Sequence, residues 1–388
     1  MFLFDLPTAL EKAARAGIVW EPRLCSRVRF PRSKCEECLK GCPEQVISWD
    51  KTLKVLEGRC TECGLCISRC PNGVFQGQRR GDYALAREMA SLLSGNSRNM
   101  VAFCCARSEQ FDRDTVVLPC LGRLTENLLL APFALGATRV EIRWPDCQGC
   151  SLEGYLSHLE GVLLLGRNLA GMVRQGEESI QVRRIGRYSQ SLPTPGPCLS
   201  RRDFFRNLGG EARQTAARLL PEFGNDRPAS PWAHGNSAKR ALLLELMREF
   251  PQHTPTRLER KGLPFAEIEI GPGCVGCPVC ATLCPTGALE RVETPDGVDI
   301  HFRPAICTGC QICQEACLFQ AISLSPTVDL QELAVRGRRR LVHLTGKEGR
   351  ERAGELPVIS EPALQTRHPN PDGALVQLQK KGLWDRVK

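Results

Sequence analysis

The run "CTECGLCISRCP", Cys60 to Pro71, spaces four thiols as C-x2-C-x2-C-x3-C, with a proline directly after the last. Three thiols placed every third residue on a tight loop can reach three corners of an iron–sulfide cube, and this is the spacing that wraps a [4Fe–4S] cluster. The fourth thiol, followed by proline, starts a helix aimed at a neighbouring cluster, so in paired runs the fourth ligand crosses over. Two further runs share the pattern: "CVGCPVCATLCP" (Cys274 to Pro285) and "CTGCQICQEACL" (Cys307 to Leu318), the latter with leucine in place of proline. Zinc sites use C-x2-C knuckles separated by a longer loop, not three cysteines in seven residues, and do not account for these runs.

Applied to the C-terminal pair, the crossing rule assigns Cys274, Cys277, Cys280 and Cys317 to one cluster. Cys307, Cys310, Cys313 and Cys284 then hold the other. The intervening "ALERVETPDGVDIHF" alternates on either side of a Pro-Asp-Gly turn, a hairpin signal. This half resembles a bacterial two-cluster ferredoxin domain. Near the other end, "CSRVRFPRSKCEECLKGCPEQVI" (Cys25 to Ile47) holds C-x2-C-x3-C-P and is one cysteine short. Superposed on the complete pair, Cys35, Cys38 and Cys42 take the second, third and fourth slots, and Cys25 is the only cysteine upstream. The expected sets are Cys25, Cys35, Cys38 and Cys70 for one cluster, and Cys60, Cys63, Cys66 and Cys42 for the other. A three-ligand [3Fe–4S] centre and a non-protein fourth ligand are the alternatives to Cys25. The excursion between Cys25 and Cys35 is basic (Arg27, Arg29, Arg32, Lys34) and suits hydrogen bonding to cluster sulfur, which raises a potential, or the docking of a partner.

At 388 residues the chain has room for two or three domains. Its 22 cysteines fit no small disulfide scaffold at this length and spacing. The start, "MFLFDLPTALEKAARAG", lacks a basic region and breaks its apolar stretch with Asp5, Glu11 and Lys12, unlike a secretory signal. The charge-free run Ile270 to Leu289 has a membrane span's length but contains four Cys, three Pro and four Gly, which a lipid-facing helix excludes. A cytoplasmic, reducing location is expected, with membrane association only peripheral and through a partner. The net charge of +9 is no nucleic-acid signature: Arg outnumbers Lys 41 to 11, a bias that base composition alone produces, and aromatic residues make up only 6%. Four oxidised cubanes at about −2 each would cancel most of that excess.

Between about residues 98 and 190 the pattern changes. "NMVAFCC", "TVVLPCLG", "TRVEIRWPDCQGC" and "SIQVRRIG" read as strands. The helical stretches "RLTENLLLAPFALGA" and "LEGYLSHLEGVLLLGRNLAGMVRQ" separate them. Alternation of this kind predicts parallel βαβ units in a doubly wound sheet. Functional groups of such sheets gather at the strands' carboxyl ends, where Cys104, Cys105, Cys120, Cys147 and Cys150 all fall. As a set they point to a metal or redox site, either a [2Fe–2S] cluster with four of the five as ligands or a dithiol pair such as Cys147 and Cys150.

The segment "FCC…PCLGR…ALGATRVEI…DCQGC…EG" resembles the iron–sulfur delta subunit of methyl-viologen-reducing hydrogenases. That resemblance implies a [2Fe–2S] cluster on Cys105, Cys120, Cys147 and Cys150. It also implies partners among hydrogenase, formate dehydrogenase and heterodisulfide-reductase-like flavoprotein subunits. "SRRDFFR" (Ser200 to Arg206) matches a twin-arginine export consensus, but the polar "NLGGEARQTAARLL" after it lacks the hydrophobic region of such a signal. A linker helix capped by Ser200 is the expectation, with Cys198 a bystander. "VRGRRRLVHL" near the C-terminus is a solvated charge run or, alternatively, a docking surface for an acidic subunit.

The predicted organisation is α+β ferredoxin-like modules at both ends of a central, doubly wound α/β domain. Its segments are a two-cluster domain (1–96), the α/β domain (97–190), a Pro/Gly/Arg-rich helical linker (191–265), a second two-cluster domain (266–326) and a basic, polar tail (327–388). No dinucleotide fingerprint, histidine–carboxylate cluster or nucleophile elbow is present to support substrate chemistry. The expected role is relay of single electrons between subunits of an anaerobic oxidoreductase complex, through four [4Fe–4S] clusters and a [2Fe–2S] centre. The alternatives are a cysteine-based redox sensor with structural cubanes, and an enzyme with Cys104 and Cys105 as nucleophiles.

Overall fold

The computed structural model describes residues 17–50, 52–78, 80–94, 99–108, 112, 114–155, 157–172, 179–187, 234–249, 257–260, 263–329, 333 and 337–349. The first hundred residues form β1 (Ile18–Trp20), α1 (Ser26–Arg29), α2 (Glu37–Lys40), β2 (Ile47–Asp50), β3 (Thr52–Val55), α3 (Leu65–Arg69), β4 (Phe75–Gly77) and α4 (Asp82–Ser94). The middle contains β5 (Met100–Cys105), β6 (Thr115–Leu118), α5 (Glu126–Ala134), β7 (Arg139–Asp146), α6 (Ser157–Met172), β8 (Ile180–Arg187) and α7 (Ala238–Glu249). After these come β9 (Arg257–Glu259), β10 (Ile268–Ile270), α8 (Val279–Leu283), β11 (Leu289–Thr294) and β12 (Gly297–Phe302). The last are α9 (Ile312–Ala316), β13 (Ile322–Leu324), β14 (Thr327–Asp329) and β15 (Arg339–Thr345). Contacts divide the chain into two compact units. One draws on Met1–Glu21, Glu36–Arg227 and Ser237–Pro255, the other on Pro22–Cys35, Pro228–Asn236 and Thr256–Lys388.

In the first unit, β1 pairs antiparallel with β4, and β2 with β3 as a hairpin. Beyond them lies a four-stranded parallel sheet in the order β6-β5-β7-β8. Strands covered on both faces read as continuous apolar runs, and all six residues of β5, "MVAFCC", are buried. Helix α5 is apolar nearly all round because α4, α6 and α7 surround it.

Those mutual contacts put the described helices in a single layer. The reason is the strand order. The crossovers from β6 to β7 and from β7 to β8 run the same way along the sheet, so right-handed connections keep both helices on one face. Only the step from β5 to β6 runs the other way, and no helix is described in it. Arg143, 2% exposed, binds Asp112, Glu141 and the Thr115 hydroxyl.

In the second unit, β10 pairs antiparallel with β13, β9 with β14, and β11 with β12 in register from Leu289↔Phe302 to Thr294↔Gly297. This is the hairpin that the Pro-Asp-Gly signal predicted. The arginine-rich stretch after residue 326 is not a free charge run. Its residues 339–345 become β15, the third strand of that sheet. Arg338 pairs with Glu290, Arg339 with Glu267 and Arg340 with Asp299, carboxylates from two different strands and a neighbouring loop. Within the expected helical linker (191–265) the described helix is α7. Cys198, the twin-arginine match, the stretch 202–220 and the polar end lie outside the described residues.

Asp82, at the start of α4, binds buried Arg123 and accepts hydrogen bonds from Thr125 and Asn127 at 3.1 and 3.0 Å. The side chains of Arg123 and Asp82 are 1% and 5% exposed. Burial pushes the Asp82 carboxyl up, but Arg123, Asn127 and Lys239 outweigh that and hold it below its ordinary value. Removing one member of a buried pair strands the other's charge, so Asp82→Ala is expected to cost about 3–5 kcal/mol, read as an earlier urea midpoint by far-UV circular dichroism. A carboxyl depressed on folding adds stability above its unfolded value of about 3.9 and loses it as pH falls through the folded one. The difference between wild type and Asp82→Asn should therefore shrink as the pH drops below about 4.

Candidate iron–sulfur centres

The cysteine runs share a backbone. Each third cysteine sits in a short helix: Cys38 in α2, Cys66 in α3, Cys280 in α8 and Cys313 in α9. Each fourth cysteine is followed, three residues on, by a left-handed residue: Gln45 (φ 51°), Gly73 (65°), Gly287 (71°) and Gln320 (50°). The residue before the second cysteine is left-handed in the three complete runs, as Glu62 (54°), Gly276 (71°) and Gly309 (64°). Glutamine and glutamate seldom adopt this conformation, and strain repeated at equivalent positions marks a loop shaped by what it wraps. The incomplete run keeps the second turn and lacks the first. Around the runs the strand scheme repeats as well, with β1·β4 and the β2–β3 hairpin in one unit and β10·β13 and the β11–β12 hairpin in the other.

These turns aim amides at sulfur. Val74 N–H donates to Cys70 Sγ and Ala321 N–H to Cys317 Sγ, each at 3.4 Å and each four residues after a fourth cysteine. Glu62 N–H donates to Cys60 Sγ at 3.4 Å. The described cysteines are all free thiols, and they gather in sets. Burial pushes the Cys63 and Cys66 thiols up, and Cys42 and Cys60 add to the effect on both. A cavity in the first unit is lined by Cys42, Cys60, Cys63 and Cys66, with Ile18 and Phe75 among its apolar walls.

In the second unit burial pushes Cys277 up to about 11, and Cys317 and Cys274 add to the effect. Cys310 is likewise raised to about 11 by burial and then by Cys284. Cys280 responds to Cys277, Cys274, Cys317 and Cys284, while Cys313 responds to Cys310, Cys307, Cys284 and Cys280. The structure thus brings Cys317 to the earlier run and Cys284 to the later one. Of the remaining expected ligands, Cys25 and Cys35 belong to the second unit, and Cys38 and Cys70 to the first.

The central thiols sort by strand geometry. Successive residues of a strand point to opposite faces, so Cys104 and Cys105 diverge. Cys104 faces Arg143 and Asp112 and is fully buried. Cys105 is acted on by Cys150, Cys120 by Cys105, Cys63 and Cys150, and Cys147 by Cys105 and Cys150. Burial is the first cause that raises each of these thiols, taking Cys147 to about 11. Strand order reverses at β5, and the carboxyl ends on either side of such a switch point form the sheet's crevice. Cys105 ends β5, while Cys120 and Cys147 closely follow β6 and β7. Gly122 N–H donates to Cys120 Sγ at 3.4 Å, and Arg107 lies 3.8 Å from Cys150 Sγ.

Among the described residues no three His, Cys, Asp or Glu side chains converge closely enough to chelate one ion. A zinc site needs its donors within about 2.0–2.3 Å of a single point, whereas an iron–sulfide cube holds its thiolates at separate corners. Buried thiol sets with amides directed at sulfur fit the second arrangement. Sequence reasoning missed Arg123, whose side chain lies against Gly64 of the Cys60–Cys66 loop. Its only signal was its place in the "CLGR" string.

A family model for a 4Fe-4S dicluster domain matches residues 32–74 and 273–321. Comparison with curated proteins gave no match, and neither did comparison with solved structures. Two dicluster domains, one near each end, indicate [4Fe–4S] clusters and point to an iron–sulfur electron-transfer role. No helix among the described residues is long and apolar enough to cross a membrane. The thiol sets make a specific demand on mutants. Cys42→Ser and Cys63→Ser should abolish the same paramagnetic centre and remove about four irons each. Cys317→Ser and Cys277→Ser should do likewise at a different centre. Metal analysis with electron paramagnetic resonance (EPR) reads both outcomes.

Proposed function

We propose that this chain is a multi-cluster electron-transfer subunit that relays single electrons between the redox subunits of a larger oxidoreductase complex. Four [4Fe–4S] clusters are assigned to Cys25, Cys35, Cys38 and Cys70; to Cys60, Cys63, Cys66 and Cys42; to Cys274, Cys277, Cys280 and Cys317; and to Cys307, Cys310, Cys313 and Cys284. A [2Fe–2S] centre is assigned to Cys105, Cys120, Cys147 and Cys150. When bound, such clusters take up and release electrons singly, and a flavin, molybdenum or hydrogenase partner supplies the two-electron step.

The observation that carries this reading is adjacency. Within one unit Cys63 acts on Cys120, so the thiol set of the second run adjoins the central set. Within the other, Cys280 acts on Cys313 and Cys284 on Cys280, so the two C-terminal sets adjoin as well. The chain's own contribution is to hold these sets side by side, keep water from them and direct amides at their sulfurs. The sequence resemblance of residues 103–154 to the hydrogenase delta subunit favours partners of the hydrogenase, formate dehydrogenase or heterodisulfide-reductase-like flavoprotein class. The sensor alternative is disfavoured because Cys105, Cys120, Cys147 and Cys150 gather as a set of four, where a redox thiol pair needs two.

An anaerobic EPR redox titration distinguishes the readings. A relay should show several reducible centres whose signals broaden each other. A single titrating thiol pair beside redox-inert cubanes would support the sensor instead. Cys105→Ser should eliminate the central centre, while Cys104→Ser should leave it in place.

A further inference from the structure

The basic excursion between Cys25 and Cys35 does something that spacing alone did not show. Its Phe30 packs within the second unit against α8, which ends at Cys284, and α9, which carries Cys313. Phe30 forms one apolar cluster with Leu283, Ile312 and Ala316, with Cys310 at its edge. Of the four basic side chains, Arg32 and Lys34 are exposed and Arg27 is partly so, but Arg29 is 0% exposed. Arg29 Nε donates to the Arg23 carbonyl at 2.6 Å, and Nη1 donates to the Thr282 carbonyl, two residues before Cys284, at 3.1 Å. Cys284 and Cys310 are the thiols on which its charge acts. The buried Ser26 hydroxyl, on the same short helix, donates to Cys310.

Resting on the electron-transfer reading, we infer that Arg29 and Ser26 raise the reduction potential of the centre held by Cys284, Cys307, Cys310 and Cys313. A cluster of this type becomes more negative by one charge when it accepts an electron, so a fixed cation beside it favours the reduced form. The effect is strengthened by burial, since no water screens the guanidinium. A hydroxyl that donates to a ligand sulfur acts in the same direction. The apolar cover from Phe30 excludes water and opposes this, but a full charge at close range outweighs the lost water dipoles. An N-terminal segment thus sets the electron affinity of a C-terminal centre and makes it a sink relative to an unassisted neighbour.

The test is an EPR redox titration of the anaerobically prepared full chain, with dithionite as reductant and mediator dyes. Cys310→Ser identifies the signal. Arg29→Met should make reduction of that centre at least tenfold less favourable, a midpoint about 59 mV lower for one electron. Ser26→Ala should give a smaller shift of the same sign, and Arg29→Lys should recover part of the loss because the charge is kept. The other midpoints should stay in place, as should all of them in Arg32→Met. If Arg29→Met fails to fold, Ser26→Ala and Arg29→Lys decide by the same readout. An unchanged midpoint with full iron content, or an equal shift of every centre, overturns the inference alone. Wild-type protein without iron would overturn the electron-transfer reading and this inference with it.

Discussion

Thiolates resist being buried together. Desolvation and mutual repulsion both drive Cys66, Cys280 and Cys313 toward the protonated form, and burial is the larger cause at each. A fold that nonetheless gathers thiols into sets must be compensated by cations, and iron bound to deprotonated sulfur supplies that compensation. Most local features follow from this constraint. Left-handed glutamine and glutamate residues persist because the strand pairs on either side hold the loops closed. In the same loops the amides of Val74 and Ala321 turn inward to sulfur.

The repeat runs deeper than the cysteine spacing. Outer strand pair, inner hairpin, short helix and post-cysteine turn recur in both halves of the chain. The copies diverge where the incomplete run replaces its first turn with the excursion. That segment was freed from one loop's geometry and acquired a buried arginine, an aromatic anchor and a buried serine in the second unit. Electrostatic tuning by a distant stretch of chain is accessible to such a design, because a fixed charge does not need to be a ligand to act on one.

In the central sheet, two simple rules sort five cysteines. Alternation along β5 sends Cys104 to the face of Arg143 and Cys105 to the crevice. The reversal of strand order then brings the ends of β6 and β7 to either side of it. The described helices occupy one layer because two successive crossovers run in the same direction. Strand and helix positions were readable from apolar patterning. Their number of layers was not, because layer count depends on the spatial order of strands.

What the amino-acid order alone determined is the chemistry: four thiols at fixed offsets specify a metal cluster because bond lengths and loop reach leave few other solutions. It also located the hairpin at Pro295 and Asp296 and the strands from Met100 to Arg187, since these depend on residues close in the chain. Tertiary structure decided what Cys104 faces and which of four basic residues is buried. It also turned an arginine-rich stretch into β15 by offering Glu290, Glu267 and Asp299 as partners. Each of those outcomes rests on contacts between residues far apart in the chain, and spacing carries no information about them.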